Sequence, residues 1–141
     1  QEVNKNVPFA IACGKMLPSL QVVDTIVDAF GNDTYKIELI LENTGFLPTN
    51  TSSQGKKCKI VRPVRLELDI TQEVKIIDGK KRVELTHLEG RSNKLSSSPF
   101  STSPTDNRTS YEWVINGKKG SSIKINIRSE RSGTLHKEVI L

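Results

Sequence analysis

The chain has 141 residues, 35% of them apolar and only 5% aromatic, with 21 Lys and Arg against 16 Asp and Glu for a net charge of +5. That length suits one domain able to bury a core without staples, and the positive excess is spread along the chain rather than gathered in one block. No run approaches the roughly 20 apolar residues that span a bilayer. Two cysteines, Cys13 and Cys58, make no disulfide framework, and their contexts, one apolar and one Lys-rich, favour free thiols.

The chain opens at Gln1-Glu2-Val3 with neither a basic segment nor an initiating Met, which reads as a processed chain or a fragment. Residues 8–20 predict a short helix. Pro8 suits a first helical turn, Phe9, Ala12, Cys13 and Met16 recur at three- and four-residue spacing, and Pro18 ends it. So much apolar surface calls for a neighbour. From Leu20 the period changes to two: Leu20 to Phe30 is a strand, Gly31-Asn32-Asp33 a hairpin turn, and residues 34–43 the returning strand. In the returning strand Tyr35, Ile37, Leu39 and Leu41 share one face. The stretch Glu42-Asn43-Thr44-Gly45-Phe46-Leu47-Pro48-Thr49 follows as a tight turn. Asn43 to Gly45 tolerate positive φ, Phe46 and Leu47 supply an apolar anchor onto the core, and Pro48 biases Leu47 towards an extended conformation.

Residues 49–61 are polar and Lys-rich, a connection or a short helical piece. Arg62 to Thr71 alternates, with Val64, Leu66, Leu68 and Ile70 inward and Arg65, Glu67 and Asp69 outward. Val74 to Ile77 and Arg82 to Leu88 flank an Asp78-Gly79 turn signal. Residues 92–109, with six serines and two prolines, read as a mobile loop. Tyr111, Trp113 and Ile115 alternate into a turn at Asn116–Gly120, then come Ile123, Ile125 and Ile127, a Ser132-Gly133 turn, and a last strand from Thr134 to Leu141. About seven or eight strands separated by turns predict an all-β fold, an antiparallel Ig-like β-sandwich with one short N-terminal helix.

The catalytic inventory is thin. There is no His-x-x-Glu, His-Glu-x-x-His or Gly-x-Ser-x-Gly, and Cys13, Cys58, His87 and His136 fit no zinc-ligand spacing, so no catalytic residue, metal ligand or cofactor is assigned. Glu67 and Asp69 interleave with Arg65 as a solvated face does. The clusters Lys56-Lys57-Cys58-Lys59, Lys80-Lys81-Arg82 and Lys118-Lys119 read as solubilising loops. Trp113, Tyr35 and Tyr111 alternate with polar residues as core residues do rather than as exposed stacking faces, and no nucleic-acid partner is assigned. His87, Glu89 and Arg91, beside Trp113 if its ring is exposed, are the candidate binding contacts. The competing reading has Arg91 hold Glu89 or another acid to shape a turn, and Trp113 sit in the core.

Five short motifs occur in order: Glu42–Thr49, Arg62-Pro-Val-Arg-Leu-Glu-Leu68, Thr86-His-Leu-Glu-Gly-Arg-Ser92, Trp113-Val-Ile-Asn-Gly-Lys118 and Ser132-Gly-Thr-Leu135. Together they resemble the C-terminal region of bacterial zinc carboxypeptidases of the carboxypeptidase A type, over most of residues 9–141. The resemblance implies that residues 1–19 are the tail helix of a preceding catalytic domain and residues 20–141 a β-sandwich accessory domain. It implies an enzyme in the parent protein but none in this chain: zinc would be held in the parent by a His-x-x-Glu pair and a distant His, and His87-Leu88-Glu89 spaces its Glu one residue too close. The longer serine-rich loop departs from the family pattern. The expected partners are the catalytic domain of the same polypeptide and a peptide or cell-wall polymer substrate. The alternative function is a free-standing secreted adhesion or carbohydrate-binding β-sandwich. The compartment stays open, with a secreted or cell-surface setting compatible with both readings.

Overall fold

The computed structural model describes residues 3–50, 52–58, 60–91 and 106–141. Helix α1 (Val3–Lys15) leads into strands β1 (Leu20–Gly31) and β2 (Thr34–Asn43), followed by the short helix α2 (Ser53–Lys57). Six more strands complete the chain: β3 (Arg65–Asp69), β4 (Lys75–Asp78), β5 (Arg82–Glu84), β6 (Arg108–Asn116), β7 (Ser122–Ser129) and β8 (Gly133–Ile140). They form two four-stranded sheets, ordered β1-β2-β6-β4 (sheet A) and β5-β3-β7-β8 (sheet B), with every pair antiparallel. The first order is the A-B-E-D order of an immunoglobulin sandwich, and β3-β7-β8 is its C-F-G sheet with β5 added at the edge. The Ig-like β-sandwich expected from the strand spacing is therefore the fold.

Two-residue alternation builds the core. Ile37, Leu39 and Leu41 of β2 and Trp113 and Ile115 of β6 face Leu66 and Leu68 of β3 and Ile123, Ile125 and Ile127 of β7, all buried. The β1–β2 hairpin turns at Asn32 and Asp33, whose φ values of 52° and 57° are the left-handed pair a two-residue turn of matching twist needs. The Asn116 side-chain amide donates to the Asn32 and Asp33 carbonyls at 3.0 and 3.1 Å, tying that turn to β6.

Several boundaries differ from expectation, each for a physical reason. Pro8 lies inside α1 rather than in its first turn, because the helix starts by Val3, and the helix ends at Lys15, before Pro18 is reached. The Asp78-Gly79 turn joins no hairpin: β4 pairs with β6 in sheet A and β5 with β3 in sheet B, so the connection crosses between layers. β5 stops at Glu84. Leu85 N–H still meets Val64 O in register with β3, but the donors beyond it leave the ladder: Leu88 N–H goes to Thr49 Oγ1, Glu89 N–H to Asp106 O and Arg91 N–H to Gly45 O. The loop expected over 92–109 falls mostly outside the described residues, and β6 already begins at Arg108. Cys13 and Cys58 are free and exposed. No helix among the described residues is long and apolar enough to cross a membrane.

α1 stands apart. It packs against no other element, and every side chain from Asn6 to Leu17 is exposed, Phe9 by 73% and Ile11 by 54%.

Candidate functional site

The turn after β2 and the segment after β5 are distant in sequence, yet one buried side chain joins them. Asn43 is fully buried. Its Oδ1 accepts the Ser19 and Gly45 amides, each at 3.0 Å, and its Nδ2 donates to the Leu47 carbonyl at 2.9 Å and the Glu89 carbonyl at 3.2 Å. Its backbone N–H reaches Asn107 O at 2.8 Å. Burying an amide side chain is unfavourable unless its donors and acceptors are matched, and here both ends are. Beside it, the Glu42 carboxylate accepts Arg108 Nε at 3.0 Å, Arg108 Nη2 at 2.9 Å and Asn107 Nδ2 at 2.8 Å.

Thr49 closes the other end of the knot. Its N–H donates to Leu88 O at 2.9 Å, and its hydroxyl oxygen accepts the Leu88 N–H at 2.9 Å. His87 Nδ1 lies 3.4 Å from the same hydroxyl. A histidine near a hydroxyl resembles an activated nucleophile, but Thr49 is buried and its oxygen is already an acceptor for the backbone. The pair has the geometry of a structural clip.

Two glycines in this region are required by space. A Cβ on Gly45 would lie 2.4 Å from Leu17 O and 2.6 Å from Ser19 N; one on Gly90 would lie 2.3 Å from Phe46 O and 2.5 Å from Leu47 C. The three segments 16–19, 43–49 and 87–91 thus meet backbone to backbone. Leu47 N–H donates to Met16 O and Thr44 N–H to Ser19 O, which fixes the exit from α1 onto the sandwich.

The expectations for this turn need correction in two respects. Neither Asn43, Thr44 nor Gly45 adopts positive φ; Asn43 works through its amide, and Gly45 through its missing side chain. Nor is the tip held by apolar anchoring, since Phe46 is exposed and Leu47 half-buried; backbone hydrogen bonds hold it. Asn43 is the residue that sequence reasoning missed. Its available signal was the Asx pattern, a side-chain carbonyl reaching the amide two residues on.

Of the candidate contacts, His87 and Glu89 are half-buried and Arg91 exposed, and all three lie on the strip bound to the 43–49 turn. Trp113 is not with them on the surface. It is 0% exposed, its indole N–H donates to Lys80 O at 3.0 Å, and its ring meets Tyr111 edge to face at 4.8 Å. It presents no face for stacking a ligand. Among the described residues no group of three His, Cys, Asp or Glu side chains is placed to hold a metal ion.

Fold and site together define an immunoglobulin-type β-sandwich module closed at one end by a buried polar knot. Residues 19–140 match the family described as Domain of unknown function (DUF8731). The chain belongs to that family, and the match takes in both sheets but begins after α1. Comparison with curated proteins gave no match.

Proposed function

We propose that residues 20–141 serve as a non-catalytic accessory module of a zinc carboxypeptidase-like protein. In this reading α1, within residues 1–19, belongs to the surface by which the module packs on the catalytic domain of the same polypeptide and positions it on peptide or cell-wall substrate. The carrying observation is α1 itself. Val7, Phe9 and Ile11 are exposed on a helix that touches no strand, and a helix apolar around most of its girth is built to be covered. Burying such side chains contributes on the order of 1.5–3 kcal/mol each. The knot at Asn43 holds the residues that follow α1, Met16 to Ser19, at a fixed place on the sandwich, so a domain carried by the helix would be oriented rather than tethered. The order of the five motifs supports the choice of parent. The adhesion or carbohydrate-binding alternative keeps His87, Glu89 and Arg91 but loses Trp113, its one aromatic contact, to the core.

The gene sequence upstream of Gln1 tests this reading. It is expected to encode a domain-sized segment with a His-x-x-Glu pair and a later His, while the purified 141-residue chain with added zinc releases no C-terminal residue from carboxypeptidase substrates. An upstream frame holding only a leader, or metal-dependent turnover by the isolated chain, overturns it.

A further inference from the structure

The outer face of sheet B is ordered in cross-strand rows. One row aligns Arg82, Glu67, Asn126 and His136, the next Asp69, Lys124 and Glu138, and in both the facing side chains are of opposite charge or neutral against charged or polar. The row Glu84, Arg65, Arg128, Thr134 breaks that rule by setting two arginines directly opposite one another. Like charges so placed destabilise a sheet.

Sheet A has a comparable conflict and resolves it. Glu38 faces Glu112, and Lys36 Nζ lies 2.7 Å from Glu112 Oε1, where the hydrogen bond to Glu112 holds the ammonium above its ordinary pKa. Sheet B has no such remedy. Glu84 lies on the far side of Arg65, with Nη2 to Oε1 at 2.9 Å, and the hydrogen bond from Arg65 holds that carboxyl below the usual range. Arg128 makes no side-chain hydrogen bond or ion pair among the described residues, and neither does Glu67, the next outward residue of β3. The Nε of Arg65 is buried and has no hydrogen-bond partner, a position that is unfavourable for a donor.

Arg65, Arg128 and Thr134 line a depression of about 290 Å³ together with Arg62, Pro63, Ser129 and Glu130. Arg62 is partly neutralised there, its Nε 3.7 Å from Glu130 Oε1. What the depression lacks is an anion reaching Arg65 and Arg128 together.

We propose that this depression binds a phosphate-type oxyanion, either free phosphate or a phosphoester group, between Arg65 and Arg128. Guanidinium forks match phosphate oxygens in bidentate fashion. A tetrahedral anion offers oxygens to two arginines on neighbouring strands and to the Thr134 hydroxyl at the end of the row, whereas a carboxylate offers only two oxygens in one plane. The bound group would separate the like charges. The site stands independently of the accessory-module reading, because it needs only residues of sheet B and its adjoining loops.

The test follows the arginine Nε–H signals of the whole 141-residue chain by NMR at constant ionic strength, titrating with inorganic phosphate, dimethyl phosphate or acetate. The expected result is a saturable shift of the Arg65 signal with a dissociation constant on the order of millimolar, weakened at least about tenfold in R128Q. That variant should remain folded, since it removes a repulsion, and R128K should fall between it and the parent because it keeps the charge but loses the fork. Saturation by dimethyl phosphate marks a phosphodiester as the source, and saturation by inorganic phosphate alone marks free phosphate or a monoester; either supports the site. A shift that never saturates, an affinity unchanged in R128Q, or acetate binding as tightly as phosphate overturns the proposal.

Discussion

Replacing Asn43 with Ala is expected to remove about 4 kcal/mol of stability, a large share of what a domain of this size has. Four backbone groups lose their partner at once: the Ser19 and Gly45 amides and the Leu47 and Glu89 carbonyls. Each buried orphan costs about 1–3 kcal/mol, and the costs overlap because the three segments relax together. Asn43→Asp keeps the acceptor but loses both donors and brings a charge into a buried site, so its loss should be of similar size. Thr44→Ala is the control. Its hydroxyl donates to Ser19 O at 3.2 Å in an exposed setting, and its removal should cost about 0.5 kcal/mol or less. Urea unfolding midpoints read all three; an Asn43→Ala midpoint equal to that of Thr44→Ala would show that the knot does not hold the turn.

Gly90→Ala is expected to cost about 3 kcal/mol, at the upper end for overpacking, because the added methyl meets Phe46 O and Leu47 C, which are backbone and cannot rotate away. Relief requires the 87–91 strip to lift from the 43–49 turn, breaking the Arg91 N–H to Gly45 O bond and loosening the Glu89 carbonyl from Asn43. Gly45→Ala should behave alike, since its methyl meets Leu17 O and Ser19 N. Gly14→Ala is the contrast: nothing lies within 4 Å of its added methyl, and because α1 packs on no element the sandwich midpoint should not move. A neutral Gly90→Ala would mean that the two segments lie farther apart than described.

Much of the sandwich was legible because it rests on a two-residue period with turns between. Tyr35 to Leu41, Val64 to Leu68 and Ile123 to Ile127 alternate cleanly, and each fills the core as that pattern requires. The crossing between sheets at Asp78 to Lys81 was not legible, because a turn signal marks a change of direction and does not say which sheet receives the next strand. The strand expected to run on to Leu88 ends sooner, because the backbone donors of Leu88 and Glu89 are matched to acceptors off the ladder and far away in the sequence, Thr49 Oγ1 and Asp106 O. The site was half legible for the same reason. Glu42–Thr49 and Thr86–Ser92 stood out as motifs, but the bonds joining them run across 46 positions from Asn43 to Glu89, and no local pattern carries that pairing. The opposed arginines were hidden too: Arg65 was readable as an outward residue of its strand, yet its facing partner depends on register with β7.

Native-state hydrogen exchange on the 141-residue chain separates the sandwich from α1 and so tests the proposal that the helix docks on another domain. An isolated helix of 13 residues is marginal in water, so the amides of α1 should exchange through local opening at a free energy near zero. Those of β2, β6 and β7 should exchange only near the global unfolding free energy. Amides in α1 as protected as those of the core strands would contradict the account, because the helix would then be packed and stable without any second domain.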